Sequence, residues 1–170
     1  MSFQLGSIST GTLRKQDLIP AMLNTLDTLV DKGTCERWWY AHLECTCKKL
    51  ECLELVEYWN GHSGEVVCAD EDSDYWQSDN SSYDLEVLTD ALQECCPPYV
   101  HFGTNEGDGA DFGFWPDMDR LTADLFWGSY RYKNEEYQLL PDEGILVHIN
   151  DHGNVTVMNM WTHEVYWECV

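Results

Sequence analysis

The chain has 170 residues, of which 44% are hydrophobic and 13% aromatic, and its formal net charge is -22. This length fits one domain with a hydrophobic core, and the aromatic content excludes a disordered acidic tail. No run of eighteen apolar residues exists and MSFQLGSISTGTLRK lacks the pattern of a secretion signal, so we expect a cytoplasmic protein without a transmembrane helix.

The negative charge is concentrated in one part of the chain. Residues 50–119 contain eighteen Asp and Glu and no Lys or Arg, whereas residues 1–49 have a net charge of +1. Adaptation to high salt would be expected to spread acidic residues over the whole surface. Like charges repel one another in a folded state, so an acidic stretch of this length indicates a positively charged partner.

The cysteines indicate buried thiols rather than disulfides or a metal site. A chain without a secretion signal is expected in a reducing compartment. No CxxC pair occurs, and Cys95 and Cys96 are adjacent, which is a poor geometry for one tetrahedral zinc. Cys45, Cys47 and Cys52 could share a metal with His42 or His62 only if the helix predicted there were broken. We predict no metal and no cofactor, with a zinc site kept as an alternative.

Two helices are predicted before residue 61. The first is capped by Thr12 or Asp17 and ends at Gly33, and Pro20 is acceptable only in its first turn. Its apolar face consists of Leu18, Met22, Leu26 and Leu29. The second is a long amphipathic helix from Cys35 to about Asn60.

An acidic loop is predicted at residues 61–82. Asp70, Asp72 and Asp74 alternate as in the first half of a calcium-binding loop. That loop also requires Gly at its sixth position and Glu at its twelfth, where this chain has Tyr75 and Ser81. A solvated acidic loop is therefore the better interpretation.

A third helix is predicted from Tyr83 to about Cys95, capped by Ser81 or Ser82 and closed by two prolines. Its outer side carries Glu86, Asp90 and Glu94 at four-residue spacing. Each like-charge pair at this spacing costs a few tenths of a kcal/mol, and Glu94 faces the negative end of the helix dipole. A helix selected only for stability would carry Lys in this row.

Strand patterns dominate after Pro98. Strands are predicted at residues 99–104 and 112–115, joined by a Gly-rich loop, and a short helix at 117–126. A hairpin is predicted at residues 145–150 and 154–160 around Asp151-His152-Gly153, with a last strand within 162–170. The predicted fold is a single α+β domain of residues 1–170, in which a helical part (1–98) with three N-terminal helices precedes an antiparallel sheet (99–170).

Three segments resemble parts of small proteins encoded by bacteriophages and other bacterial mobile elements. They are GSISTGTLR (6–14), PPYVHFGTNEGDGADFGFWPD (97–117) and HINDHGNVT (148–156). This resemblance implies a bacterial host cell as the setting and implies no particular chemistry. By charge and size the chain also resembles the class of DNA-mimic proteins that block restriction or CRISPR enzymes, without a motif shared with one member.

These observations predict a non-enzymatic DNA mimic that occupies the nucleic-acid site of a basic host protein, a restriction enzyme or a CRISPR effector. Duplex DNA carries one charge per about 1.7 Å, so about 22 charges match about 11 base pairs. The protein itself is expected to bind neither nucleic acid nor membrane. The predicted partner-binding residues are Glu51, Glu54, Glu57, Asp70, Glu71, Asp72, Asp74, Tyr75, Trp76, Asp79, Glu86, Asp90 and Glu94.

Two other functions stay open on the sequence. One is an acidic adaptor that binds a protein without imitating DNA. The other is a metal-dependent enzyme, because polar residues fall in or beside predicted loops at strand ends, where catalytic groups are often placed. These residues are Asp108, Asp111, His148, Asp151 and His152, but no GxSxG, P-loop, HExxH or GxGxxG motif accompanies them.

Overall fold

The structure is a computed structural model that describes residues 2–31, 74–132 and 136–170. The predicted second helix and most of the predicted acidic loop lie outside these ranges. The elements in chain order are strand β1 (Gly6–Ser9), helix α1 (Lys15–Asp31), a 3-10 turn (Asp74–Gln77), helix α2 (Asp79–Glu94), strands β2 (Val100–Thr104) and β3 (Phe112–Pro116), helix α3 (Met118–Gly128), and strands β4 (Tyr130–Tyr132), β5 (Tyr137–Leu140), β6 (Ile145–Ile149), β7 (Val155–Asn159) and β8 (Val165–Cys169).

The predicted order of helices before one sheet is wrong. Strand β1 precedes the first helix, and α3 lies between strands β3 and β4. The strands also form two sheets, of order β1-β3-β2 and β4-β5-β6-β7-β8. Strand β1 was missed because it has four residues, GSIS, and its neighbour β3 lies far along the chain. A pairing between distant segments leaves no periodic signal in either segment alone.

The chain divides into two units, each described by itself. The helix unit comprises Ser7–Cys96 and Phe102–Phe114, and the sheet unit comprises Met1–Gly6, Pro97–His101 and Trp115–Val170. The prediction of a single domain stays a prediction.

In the helix unit, α1 packs against α2. The buried side chains include Leu18, Met22 and Leu26 of α1 and Leu88 and Leu92 of α2, which repeat at three- and four-residue spacing as predicted. Helix α1 begins at Lys15, so Pro20 lies beyond the first turn, contrary to the prediction. Lacking an N–H, Pro20 cannot donate to the carbonyl four residues earlier.

The start of α2 also differs from the prediction. Its N-cap is Ser78, whose side chain accepts a hydrogen bond from the Ser81 backbone N–H. Ser81 is buried in the first turn, and its hydroxyl donates to the backbone oxygens of Trp76 and Ser78. Serine is a favoured N-cap residue, so Ser78 and Ser81 could each cap a helix. The burial of Ser81 against the 3-10 turn, which is a tertiary feature, determines which of them takes this position.

The five predicted strands are confirmed as β2, β3, β6, β7 and β8, and the hairpin of β6 and β7 has the predicted turn. Strand β2 lies at the edge of its sheet, where an unpaired backbone N–H could recruit another strand. The Gln93 side chain of α2 accepts from the Phe102 N–H at 2.9 Å and so satisfies one such group.

The five-stranded sheet forms the core of the sheet unit. Its strands pair antiparallel throughout, and Ile145, Leu146, Val147 and Val157 are fully buried. Strands β4 and β5 were not predicted, because the charged segment KNEE separates them and hides their alternation.

Tyr99 joins α3 to the segment before β2. Its backbone φ is +59°, a conformation that a non-glycine residue adopts only when its surroundings fix it. The Tyr99 carbonyl accepts from the Asp117 N–H at 2.9 Å, and its hydroxyl donates to Asp124 at 2.9 Å. The Arg120 guanidinium lies 5.4 Å from the ring centre. Burial, and then the hydrogen bond to Asp124, raise the pKa of Tyr99, so this contact is between a neutral phenol and a carboxylate.

Asn159 organises the turn between β7 and β8. Its buried side-chain oxygen accepts from the backbone N–H groups of Trp161 and Thr162, each at 2.9 Å, and its amide donates to the Tyr166 hydroxyl at 2.8 Å. Three contacts on one buried amide specify both the turn and the position of Tyr166.

The change Asn159→Ala is expected to lower the free energy of unfolding by about 2–3 kcal/mol, because it removes these three hydrogen bonds and leaves buried groups unpaired. Urea denaturation followed by circular dichroism measures this loss. Asn159→Asp keeps an acceptor for both N–H groups and is expected to lose less. A loss of less than about 1 kcal/mol in the alanine variant would show that these contacts contribute little.

Candidate functional site

The outer face of α2 carries four exposed acidic residues. Asp79, Glu86, Asp90 and Glu94 are exposed, whereas Leu88, Ala91 and Leu92 on the opposite face are buried. We call Glu86, Asp90 and Glu94 the acidic row. They follow one another at four-residue spacing on the same side of the helix, so neighbouring carboxylates stand about 6 Å apart. The arrangement predicted from the sequence is confirmed for this helix.

The buried face of α2 holds the acidic row in place. Leu88, Leu92 and Cys95 have no exposed surface, and the helix packs against α1. The row therefore stands on a helix that is anchored by its buried face rather than on a loop. Such a surface presents charge in a fixed pattern, which reduces the entropy lost when a partner binds.

Helix α2 contains no Lys or Arg. Residues 7–31, 74–96 and 102–114 hold twelve acidic and two basic side chains, a net charge of -10. The two basic residues begin α1. Arg14 lies 3.5 Å from Asp17, and the Lys15 ammonium donates to the hydroxyls of Ser81 and Ser82 at 3.1 and 2.6 Å. Both cations thus have polar partners of their own.

The remaining predicted binding residues divide into four groups. Asp74 is exposed in the 3-10 turn, close in sequence to Asp79. Trp76 is 5% exposed and belongs to the core, so it does not serve as the predicted aromatic anchor. The backbone of Tyr75 lies in the same 3-10 turn. The residues outside the described ranges are Glu51, Glu54, Glu57, Asp70, Glu71 and Asp72.

Trp76 was assigned to the interface because it lies among acidic residues. The sequence around it gives no periodic signal, since a 3-10 turn of four residues is too short to show one. The tertiary structure buries the indole, and local composition does not reveal this.

The residues considered for catalysis have structural roles or are exposed. In the loop between β2 and β3, Asp108 accepts from the Ala110 N–H at 3.0 Å, and the Asp111 backbone oxygen accepts from the Asn105 N–H at 2.8 Å. This agrees with the interpretation as a turn. One buried side-chain oxygen of Asp111 has no hydrogen-bond partner among the described residues.

The histidines considered with them belong to the β6–β7 hairpin of the sheet unit. His148 is half-buried on β6, with its ring centre 5.5 Å from that of Tyr137. Asp151 and His152 are exposed at the turn, where the Asn150 side chain accepts from the His152 N–H at 2.9 Å. These contacts account for the hairpin and place no nucleophile next to a base.

The described cysteines, Cys95, Cys96 and Cys169, are free thiols. Cys95 is fully buried, and Cys96 donates a weak hydrogen bond to the Leu92 carbonyl. Burial raises the pKa of the Cys96 thiol, which disfavours the thiolate that would bind a metal or act as a nucleophile. Across residues 2–31, 74–132 and 136–170, no three Cys, His, Asp or Glu side chains converge in a metal-binding geometry.

None of the helices in the described ranges combines the length and apolar character that crossing a membrane requires. Comparison of the chain with protein-family models, curated proteins and solved structures gave no match. The feature of the described residues that bears on function is therefore the outer surface of α2, which presents exposed carboxylates on one face of the helix.

Proposed function

We propose that this protein is an acidic DNA mimic that inhibits a bacterial host defence protein, a restriction enzyme or a CRISPR effector. It acts in the host cytoplasm by occupying the nucleic-acid-binding site of that protein, and it catalyses no reaction. The observation that carries the proposal is the acidic row of α2, which is exposed on a helix anchored by a buried opposite face.

The energetics of α2 support a partner that is positively charged. The two neighbouring pairs of the row repel each other, and Glu94 stands at the negative end of the helix dipole, so each feature costs a few tenths of a kcal/mol in the free protein. A basic cleft removes both costs on binding. The same carboxylates then steer the encounter, because opposite charges accelerate association and select the partner.

A DNA mimic and an acidic adaptor differ in what they displace. A mimic competes with duplex DNA for one cleft, whereas an adaptor binds its partner elsewhere and leaves DNA binding intact. Both depend on charge, so salt dependence alone does not separate them. Competition with duplex DNA does separate a mimic from an adaptor.

Phage restriction in cells gives the first test. The protein is produced in a bacterial strain that carries one restriction system or one CRISPR effector, and unmodified phage is plated on it. We expect plating to rise towards that of a strain lacking the system, because the defence enzyme no longer engages phage DNA. Full restriction across a panel of such systems would contradict the proposal.

Displacement of DNA from a purified effector gives the second test. A labelled duplex bound to the effector is expected to be released as the protein is added, and less so as salt rises from about 0.1 to 1 M, where the Debye length falls from about 10 to 3 Å. The protein alone should leave the duplex unbound. Inhibition without release of the duplex would point to the adaptor instead.

A further inference from the structure

The outer face of α3 carries two large exposed aromatic side chains, in contrast to that of α2. Phe126 is 77% and Trp127 84% exposed, and their rings contact each other edge to face with centroids 4.9 Å apart. Thr122 and Ala123, one turn earlier, are exposed as well. The opposite side of α3 is anchored by Leu121, which is fully buried. Two large aromatic side chains exposed side by side often mark a contact with another molecule.

This face also lies in the least acidic part of the chain. Residues 120–133 have a net charge of +2, in a protein of net charge -22. On the exposed side of the helix, Asp119 and Arg120 carry opposite charges, and Thr122, Ala123, Phe126 and Trp127 are neutral.

We propose that the outer face of α3 packs against α3 of a second copy of this chain, forming a two-fold dimer centred on Phe126 and Trp127. Positions 118, 122 and 126 form one four-residue ridge of the helix, and positions 119, 123 and 127 form the next. Ridges of this kind interdigitate when two helices cross at about -50°. The small side chain of Ala123 permits close approach beside the rings.

The charge distribution favours a second copy over other occupants. A basic protein is attracted to the acidic surface and gains nothing electrostatic from this neutral face. Nucleic acid and an anionic membrane are both repelled by the net charge of the chain. A second copy is repelled as well, but least of all when the two molecules meet through their least acidic surface.

The area of the aromatic pair is compatible with a weak dimer. Two aromatic side chains at these exposures offer roughly 300 Å² or more per protomer. The smallest specific interfaces bury about 600 Å² per partner, so the two residues supply about half of what is needed. The neighbouring ridge residues contribute the remainder. The proposed dimer is therefore concentration-dependent, and the edge-to-face ring pair is its central contact.

Sedimentation velocity over a concentration series tests the dimer. The wild-type protein is expected to dimerise at concentrations between about 10 µM and 1 mM, the range of a weak interface. Dimerisation should strengthen as salt rises, because salt screens the repulsion between two acidic chains. This is opposite in sign to the salt dependence expected for binding a basic partner.

The double variant Phe126→Ser/Trp127→Ser is expected to stay monomeric over the same range and to keep its circular dichroism spectrum, because both side chains are exposed. Trp161→Ser is the matched control, since Trp161 is also an exposed aromatic of the sheet unit, at 66%, and lies outside the proposed contact. A wild-type protein that is monomeric at about 1 mM, or a dimer that persists in the double variant, would overturn the proposal. Either result leaves the proposed inhibitory function standing, because the acidic row does not take part.

Discussion

The double change Glu86→Lys/Asp90→Lys is expected to weaken binding to the inhibited defence protein by about tenfold to a hundredfold, with restriction of phage restored in cells. Each reversal replaces an attraction with a repulsion, at about 0.5–1.5 kcal/mol per position on a partly solvated surface. Both side chains are exposed, so the change acts on the surface and leaves the core intact. Competition with labelled duplex on the purified effector measures the loss.

The same variant is expected to be as stable as the wild type or slightly more stable. Glu86 and Asp90 are one turn apart, and Lys at position 90 lies one turn before Glu94, so repulsion within the row is replaced partly by attraction. Thermal unfolding should therefore show an unchanged or slightly higher Tm. The variant is thus expected to lose affinity without losing thermal stability. This combination distinguishes a change in the binding surface from unfolding.

The matched control is Asp142→Lys/Asp151→Lys, two exposed acids in turns of the sheet unit. It changes the net charge by the same amount as the α2 variant. If binding depends on the total charge alone, both variants lose affinity equally, and the acidic row is not the site. If only the α2 variant loses affinity, position on the helix determines binding. Inhibition by the α2 variant at the wild-type level would exclude the mimicry proposal.

The change Trp167→Ala is expected to lower the free energy of unfolding by about 3–5 kcal/mol, the usual cost of removing a large aromatic side chain from a core. Trp167 is fully buried on β8. Its indole N–H donates to the Pro98 carbonyl at 2.7 Å, which joins β8 to the segment before β2. Native proteins have free energies of unfolding of about 5–15 kcal/mol, so the sheet unit is expected to lose a large part of its stability.

Trp167→Phe separates packing from hydrogen bonding in this residue. It keeps most of the buried apolar volume but removes the N–H, leaving the Pro98 carbonyl without this donor. We expect a loss of about 1–3 kcal/mol. Urea denaturation of both variants, followed by near-ultraviolet circular dichroism, measures the two costs. Equal losses in both variants would mean that the contact to Pro98 dominates.

The elements with regular periodicity were predictable from the sequence, and the short ones were not. The β6–β7 hairpin follows from two alternating apolar runs around an Asp-His-Gly turn, and the short helix predicted at 117–126 is α3. Asp117 acts as the N-cap, accepting from the Arg120 N–H at 2.9 Å. Strand β1 gives no comparable signal, because it is formed by pairing with a distant segment.

For the candidate site, the sequence by itself determined which side of α2 is acidic. Leu88 and Leu92 repeat at helical spacing on one side, so burying them places Glu86 and Asp90 on the other. Only the tertiary structure decided which side chains outside such regular patterns are buried and which are exposed. It buried Trp76, moved the helix start to Ser78, and placed an apolar helix face, that of Phe126 and Trp127, outside the core. Helical periodicity is local and readable along the chain, whereas burial depends on which distant segments meet.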